Sequence, residues 1–216
     1  MNYKHYSQIV LVALVIFIAS SAMAQKFLHG LTIEAGGGYS QLFWRVDSLN
    51  GDRKAFSLSP NIRMGFNINL GKNINIYPFT GYNRFGGKSD VESNGYYDYF
   101  WFNVWETGLF GLYQYRNFRF GPGLKYNHHL KVYAKYYGTY IQSADSVHEW
   151  TTNDWSSEFP EYSYDLGLRV GWRYKHCTMA LDSWFGLGNL GNAGVFKELN
   201  MEMWENHYRL LAGFEW

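Results

Sequence analysis

Hydrophobic and polar residues alternate with period two through most of the chain beyond about residue 30. Alternation of this kind places successive side chains on opposite faces of an extended strand. The clearest case is Phe56 to Leu70. There Phe56, Leu58, Pro60, Ile62, Met64, Phe66, Ile68 and Leu70 share one face, and Ser57, Ser59, Asn61, Arg63, Gly65, Asn67 and Asn69 share the other. Seven further stretches follow the same rule: Gly30 to Trp44, Ile74 to Gly86, Tyr99 to Tyr115, Phe118 to Val132, Tyr162 to Tyr174, Cys177 to Gly188 and Trp204 to Trp216. In chain order, the third and fourth of the eight are apolar on both faces, with Tyr77 and Phe79 in one and Phe110 and Leu112 in the other, so their facing stays open. Pro60 removes a ladder donor and predicts a bulge.

The connections alternate in length. Gly71-Lys72-Asn73, Arg116-Asn117 and Lys175-His176 are tight turns, whereas Arg45–Lys54, Lys88–Tyr96, Gly138–Pro160 and Asn189–Glu198 are long loops. A soluble sandwich has no reason to sort its connections this way, but an outer-membrane barrel does. The rival is a lipocalin-like soluble barrel, apolar inside and polar outside. It fits poorly, because the apolar faces of the second, fifth and sixth strands carry no charge. Aromatics on the apolar faces gather toward both strand ends, as interfacial girdles do. The turn-side set includes Phe118, Phe120, Trp172, Tyr174, Phe214 and Trp216, and the loop-side set Tyr39, Phe43, Tyr82, Tyr126 and Tyr162. Each strand exceeds the roughly 9–11 residues that a tilted spanning strand needs. The expected fold is all-β, an eight-stranded antiparallel up-and-down transmembrane β-barrel, monomeric, with both termini on the periplasmic side.

Composition alters the picture in three places. A mean hydropathy of −0.33 describes a chain in which only alternate residues are apolar, so it does not speak against a barrel. The net charge of +1 offers no global attraction to nucleic acid. The single cysteine, Cys177, excludes an intrachain disulfide framework and a cysteine-rich metal site. At the start of the chain, Lys4 and His5 precede the apolar run Ile9–Ile18 and the small-residue site Ala22-Met23-Ala24. This predicts a secretory signal peptide over 1–24, cut after Ala24, ahead of a barrel domain over 25–216.

The final strand ends on Phe214 and Trp216, which resembles the terminal assembly signal of bacterial outer-membrane barrels. Ile76-Tyr-Pro-Phe-Thr-Gly-Tyr82-Asn-Arg-Phe-Gly-Gly87 resembles the proline-and-tyrosine third strand of the outer membrane protein beta-barrel domain family (porin family, PorT-like) of Bacteroidota. Val104-Trp-Glu-Thr-Gly-Leu-Phe-Gly-Leu-Tyr-Gln-Tyr115, followed after the turn by Phe118-Arg-Phe-Gly-Pro-Gly123, resembles that family's fourth and fifth strands. The resemblance implies a Gram-negative outer-membrane location and a barrel fold. It also implies outer-membrane lipid and the barrel-assembly machinery as partners. It brings no catalytic residues.

Candidate chemistry lies first on the inward faces. Facing predicts that Glu34, Arg63, Glu106, Arg119, Lys125, Lys131, Asp165, Arg169, Arg173, Asp182, Glu205, Arg209 and Glu215 point into the barrel. Eight strands enclose a space just wide enough for side chains to fill. The set therefore reads as an ion-paired plug, with Arg119 or Arg173 expected across from Glu34 or Glu215. A narrow porin-like channel is the alternative. His128 and His129 are adjacent on a strand and face opposite ways, so they cannot share a metal ion. Ser183 and His128 both face lipid but lie two strands apart, which argues against a lipid-modifying enzyme. Gly186–Gly194 lacks the Lys-Ser/Thr of a phosphate loop. No cofactor, metal or catalytic residue is predicted. The loop Gly138–Pro160, with Asp145, Glu149, Trp150, Asp154 and Trp155, is the candidate outer binding surface for a glycan or protein ligand. The chain reads as a surface protein with a plugged interior, structural or binding through its loops.

Overall fold

The structure is a computed structural model that describes residues 30–46, 49–89, 97–142 and 145–216, with side chains described over 30–45, 61–87, 100–134 and 154–216. The predicted signal peptide lies outside the described residues. Ten strands form one sheet: β1 Leu31–Val46, β2 Leu49–Phe66, β3 Ile68–Gly71, β4 Ile74–Ser89, β5 Tyr97–Tyr115, β6 Phe118–Gln142, β7 Asp145–Asp154, β8 Tyr162–Tyr174, β9 Cys177–Gly186 and β10 Glu202–Glu215. β3 continues β2 past Asn67, and β7 is the returning arm of a hairpin with β6. The remaining order, β2-β1-β10-β9-β8-β6-β5-β4, closes on itself through β4 pairing with β2. The result is a closed eight-stranded antiparallel barrel. The final strand seals it, paired with β1 from Thr32↔Glu215 to Arg45↔Glu202.

At one end the connections are tight. Lys72 and Asn73 take φ of 49° and 67°, Arg116 takes 54° and Lys175 takes 53°. Left-handed backbone here lets a short turn follow the twist of its strands. Gly30 donates to the Trp216 carbonyl at 2.9 Å, so the barrel begins and closes at this same end. At the other end the strands run on as hairpins. The predicted loop Gly138–Pro160 is therefore mostly strand: β6 extends to Gln142, β7 pairs with it, and a 3-10 turn follows at Ser156–Glu158. The predicted loop Arg45–Lys54 is likewise mostly a hairpin continuation of β1 and β2. The glycine-rich segment after β9 ends in a short helix, α1, Gly194–Glu198. The β1–β2 register is irregular between Gly36 and Gly38, opposite the stretch of β2 that contains Pro60.

Facing follows sequence parity. β8 alternates exposed and buried along almost its whole length. Ile33, Ile62, Met64, Leu124, Leu166, Leu168, Val170, Leu181 and Leu210 are exposed on the outside, Leu168 by 56% and Leu210 by 57%. Between the turn end and the level of Tyr82 and Tyr162, no described outward residue is Asp, Glu, Lys or Arg. Outward charges sit at the extremes: Lys72, Arg116 and Lys175 beside the turns, Arg45, Arg84, Lys131, Glu161 and Glu202 toward the loops. A water-facing surface would not leave such a belt bare of charge. It is the exterior of a barrel whose solvent is lipid.

One predicted inward residue is misplaced. Lys131 is exposed and reaches Asp154 at 3.4 Å, its side chain 55% exposed. A bulge is the cause. Val104 pairs with His129 and Asn103 with Lys131, which leaves Leu130 as the extra residue. An extra residue reverses the parity beyond it. Lys131 consequently turns outward, while Val132 and Ala134 turn into the barrel.

Candidate functional site: the closed lumen

The interior is built in layers from the turn end upward. Lowest is Glu215 at the end of β10. Its carboxylate accepts from Arg119 Nη1 at 2.5 Å and Nη2 at 3.1 Å, and pairs with Arg173 Nη1 at 2.8 Å. Both arginines come from strands on the β6–β8 wall.

Next comes a ring of alternating charge. Glu34 and Arg63 are direct partners in the β1–β2 register, and Arg169 and Asp182 in the β8–β9 register. Arg63 bridges Glu34 at 2.8 Å and Asp182 at 2.6 Å. Arg169 meets Asp182 at 3.1 Å and also pairs with Glu34, which closes the ring. All four residues are buried. Tyr77 donates its hydroxyl to Glu34 at 3.2 Å. Buried charge is costly unless geometry and hydrogen bonds compensate. Here each guanidinium touches two carboxylates and lies over aromatic faces as well, Arg63 4.8 Å from the Phe79 ring centroid and Arg169 5.0 Å from Tyr77.

A third layer joins Glu106, Lys125, Arg209, Asp165 and His207. Glu106 pairs with Arg209 at 2.9 Å and Lys125 at 3.4 Å, and Lys125 reaches Asp165 at 2.9 Å. His207 Nε2 lies 2.8 Å from Lys125 Nζ and 3.0 Å from Arg209 Nη2. Both neighbours can only donate, so Nε2 accepts and the ring proton sits on Nδ1. Asp165, Glu205 and His207 offer ligand atoms within 4.8 Å of one another, the grouping in which a metal ion is conceivable. The Lys125 ammonium already contacts two of the three, which makes the site a poor match for a second cation. Glu205 is buried and forms no ion pair among the described residues.

The facing left open by the sequence is settled here. Tyr77, Phe79, Phe110, Leu112 and Trp184 all point inward and form an apolar wall among the ion pairs. Inward glycines make the room. A Cβ at Gly167 would sit 2.3 Å from the Trp184 ring, and one at Gly123 2.4 Å from Phe110, each glycine being the register partner of the ring it admits. Only the strand register ties these glycines to the rings they admit. We expect Gly167→Ala to destabilise the barrel by about 1–3 kcal/mol through overpacking. Gly171→Ala, where a Cβ would meet nothing nearer than 3.6 Å, serves as its control. Equal urea midpoints for the two variants would refute the packing argument.

Toward the loop end the lumen becomes apolar. Leu42, Phe85, Phe102, Val104, Val132 and Met203 fill it, and Phe100, Phe159, Leu190 and Phe196 lie above, with Trp155 packed against them. α1 therefore contributes to a cap. His129 is held beneath it, Nδ1 2.7 Å from the Pro160 carbonyl and Nε2 3.1 Å from the Ser163 hydroxyl. His128 is directed outward, 4.0 Å from Glu161. His128 pairs with Tyr162 and Ser183 with Leu168, so these two polar residues differ by about 20 Å along the strands.

Of the proposed binding loop, Asp154 is exposed and accepts from the Ser156 hydroxyl and amide, while Trp155 is drawn into the cap. The side chains of Asp145, Glu149 and Trp150 lie outside the described residues; their backbone belongs to β7. Phe214 and Trp216 are on the exterior at the turn end, ring centroids 4.8 Å apart. Two small voids remain in the lumen, of ≈ 10 and ≈ 20 Å³. Each is about the size of a single water molecule.

No protein-family model matches the chain, and no curated protein matches it either. Solved structures of similar shape exist. Ail, the attachment invasion locus protein of Yersinia pestis, is 10% identical with a TM-score of 0.46 over 87% of this chain and 99% of that one. Neisserial surface protein A is 8% identical with a TM-score of 0.46, covering 87% of this chain and 97% of its own. The outer membrane protease OmpT of Escherichia coli is 10% identical with a TM-score of 0.37, covering 86% and 96% respectively.

Proposed function

We propose that the chain is a sealed outer-membrane β-barrel that spans the membrane as a structural or surface-binding protein and conducts no solute. The single observation that carries this reading is the filled lumen: three tiers of ion pairs below an apolar cap, inside a charge-free outer belt. In this reading the turn end and both ends of the mature chain are periplasmic, and the hairpins of β1–β2, β4–β5 and β6–β7 stand outside the cell. The Bacteroidota PorT-like assignment belongs to the same proposal, supported by the Ile76–Gly87 and Val104–Gly123 motifs. So does removal of residues 1–24 as a signal peptide. The barrel acts as a monomer without catalysis, and a glycan or protein ligand meets it at the hairpin tips.

Purified protein reconstituted in planar bilayers is expected to show no stable unitary current. Reproducible single-channel steps would establish the narrow-channel alternative. Protease added to intact cells is expected to cut only within the long connections. Cleavage at Lys72, Arg116 or Lys175 would reverse the topology.

A further inference from the structure

Beyond the sealed lumen, the turn end carries an open cavity of ≈ 280 Å³ lined by Gln114, Arg116, Asn117, Arg119, Arg173 and Lys175. Four of these six are cations. The Arg173 amide donates to the Asn117 carbonyl at 2.8 Å, which sets the two tight turns side by side. Arg119 and Arg173 line the cavity and share a single carboxylate, Glu215. They are held in place from behind: Arg119 Nε donates to Gln114 Oε1 at 3.3 Å and Arg173 Nε to the Lys175 carbonyl at 2.8 Å.

The other two cations reach sideways. Arg116 Cζ lies 5.4 Å from the Tyr115 ring centroid, and Lys175 Nζ lies 5.6 Å from that of Tyr174. Both rings are exposed members of the turn-side girdle. Neither Arg116 nor Lys175 forms an ion pair among the described residues. One carboxylate thus faces four cations, at the height where girdle tyrosines mark the membrane interface.

We propose that this cavity seats the phosphate of an anionic glycerophospholipid from the leaflet on the turn side. The proposal rests on the membrane placement given above. Guanidinium forks match phosphate oxygens in geometry, and a lysine ammonium adds a point charge. Its lining joins inward Arg119 and Arg173 to Arg116 and Lys175 beside the exposed Tyr115 and Tyr174 rings, so in this proposal a headgroup enters while its acyl chains stay against Tyr115, Trp172 and Tyr174. A zwitterionic lipid brings its own ammonium into the same cationic rim and is disfavoured.

The test is native mass spectrometry of the full-length folded barrel released from detergent. It is offered equimolar phosphatidylglycerol and phosphatidylcholine with identical acyl chains. The wild type is expected to retain phosphatidylglycerol over phosphatidylcholine by about tenfold or more, from the electrostatic gain of several basic residues. Arg116→Asn with Lys175→Asn is expected to bring the ratio close to one. Asparagine tolerates the left-handed backbone at both turns, and neither residue belongs to the buried ion pairs. Heat-modifiable migration on gels confirms that the variant is folded. Equal retention of both lipids by wild type, or unchanged selectivity in the folded double variant, overturns the proposal. Displacement of phosphatidylglycerol by inorganic phosphate at equal concentration overturns it too, in favour of a free-anion site. Failure of the wild type to fold in detergent at all would instead strike the membrane placement.

Discussion

Replacing Arg63 with methionine is expected to lower the unfolding free energy of the barrel by about 3–5 kcal/mol. Arg63 is buried and bridges Glu34 and Asp182, at 2.8 and 2.6 Å, from two strands on different sides of the ring. Methionine fills much of the volume but leaves two carboxylates sharing the single guanidinium of Arg169. The cost is that of stranding buried negative charge, which exceeds the net worth of the original pair. A second substitution separates the two. Glu34→Gln in the Arg63→Met background removes one of the stranded charges, so the double variant should be more stable than Arg63→Met alone. Urea titration of tryptophan fluorescence in lipid vesicles reads both. A loss below about 1 kcal/mol for Arg63→Met, the scale of an exposed pair, would mean the ring is not what holds the lumen together.

The second large effect is on the outside. Leu168→Arg is expected to cost about 2–4 kcal/mol, whereas Tyr174→Arg on the same face of β8 should cost about 0–1 kcal/mol. Leu168 is 56% exposed at the middle of the strand and Tyr174 is 54% exposed at its end, so exposure alone predicts no difference. Depth in lipid does. At the midplane the arginine head must be dragged into hydrocarbon or pull water to itself, while at the girdle it reaches the interface directly. In water both changes would fall within about 0.5 kcal/mol, as surface substitutions usually do. The paired measurement therefore tests the lipid-facing assignment independently of any functional assay.

The charged tiers were visible as inward parity, but their partners were not. Glu34 was a candidate partner for Arg119 or Arg173 and instead meets Arg63 and Arg169. Glu215 takes both Arg119 and Arg173. Parity states which face a residue occupies. It does not state its height, and height depends on the stagger between neighbouring strands. The inward aromatics stayed hidden for a related reason. Tyr77, Phe79 and Phe110 are apolar on a face that alternation expects to be polar, so the pattern on their strands reads as ambiguous. Trp184 belongs with them; Phe79, Phe110 and Trp184 are each the register partner of a glycine on the adjacent strand, a pairing visible only once the register is known.

Lys131 shows the limit of parity itself. Nothing in His128-His129-Leu130-Lys131-Val132 announces a bulge, because the residues on either side alternate normally. The extra residue falls where β6, still paired with β5, ends its pairing with β8 at His128 and begins its pairing with β7 at Tyr133. Beyond the bulge the strand no longer needs an apolar outer face, and its inner face helps to close the mouth.

Strand number, the inside-out polarity and the contrast between tight turns and long connections were determined by the sequence alone. Each is a local property: period-two alternation, turn residues, and the absence of charge on one face. The tertiary structure decided which cations meet which carboxylates, where the parity breaks, and that Phe100, Phe159 and Phe196, from segments far apart in the chain, pack together over the upper lumen. Those outcomes depend on register and on the return of distant loops to one mouth, and no window of sequence contains either.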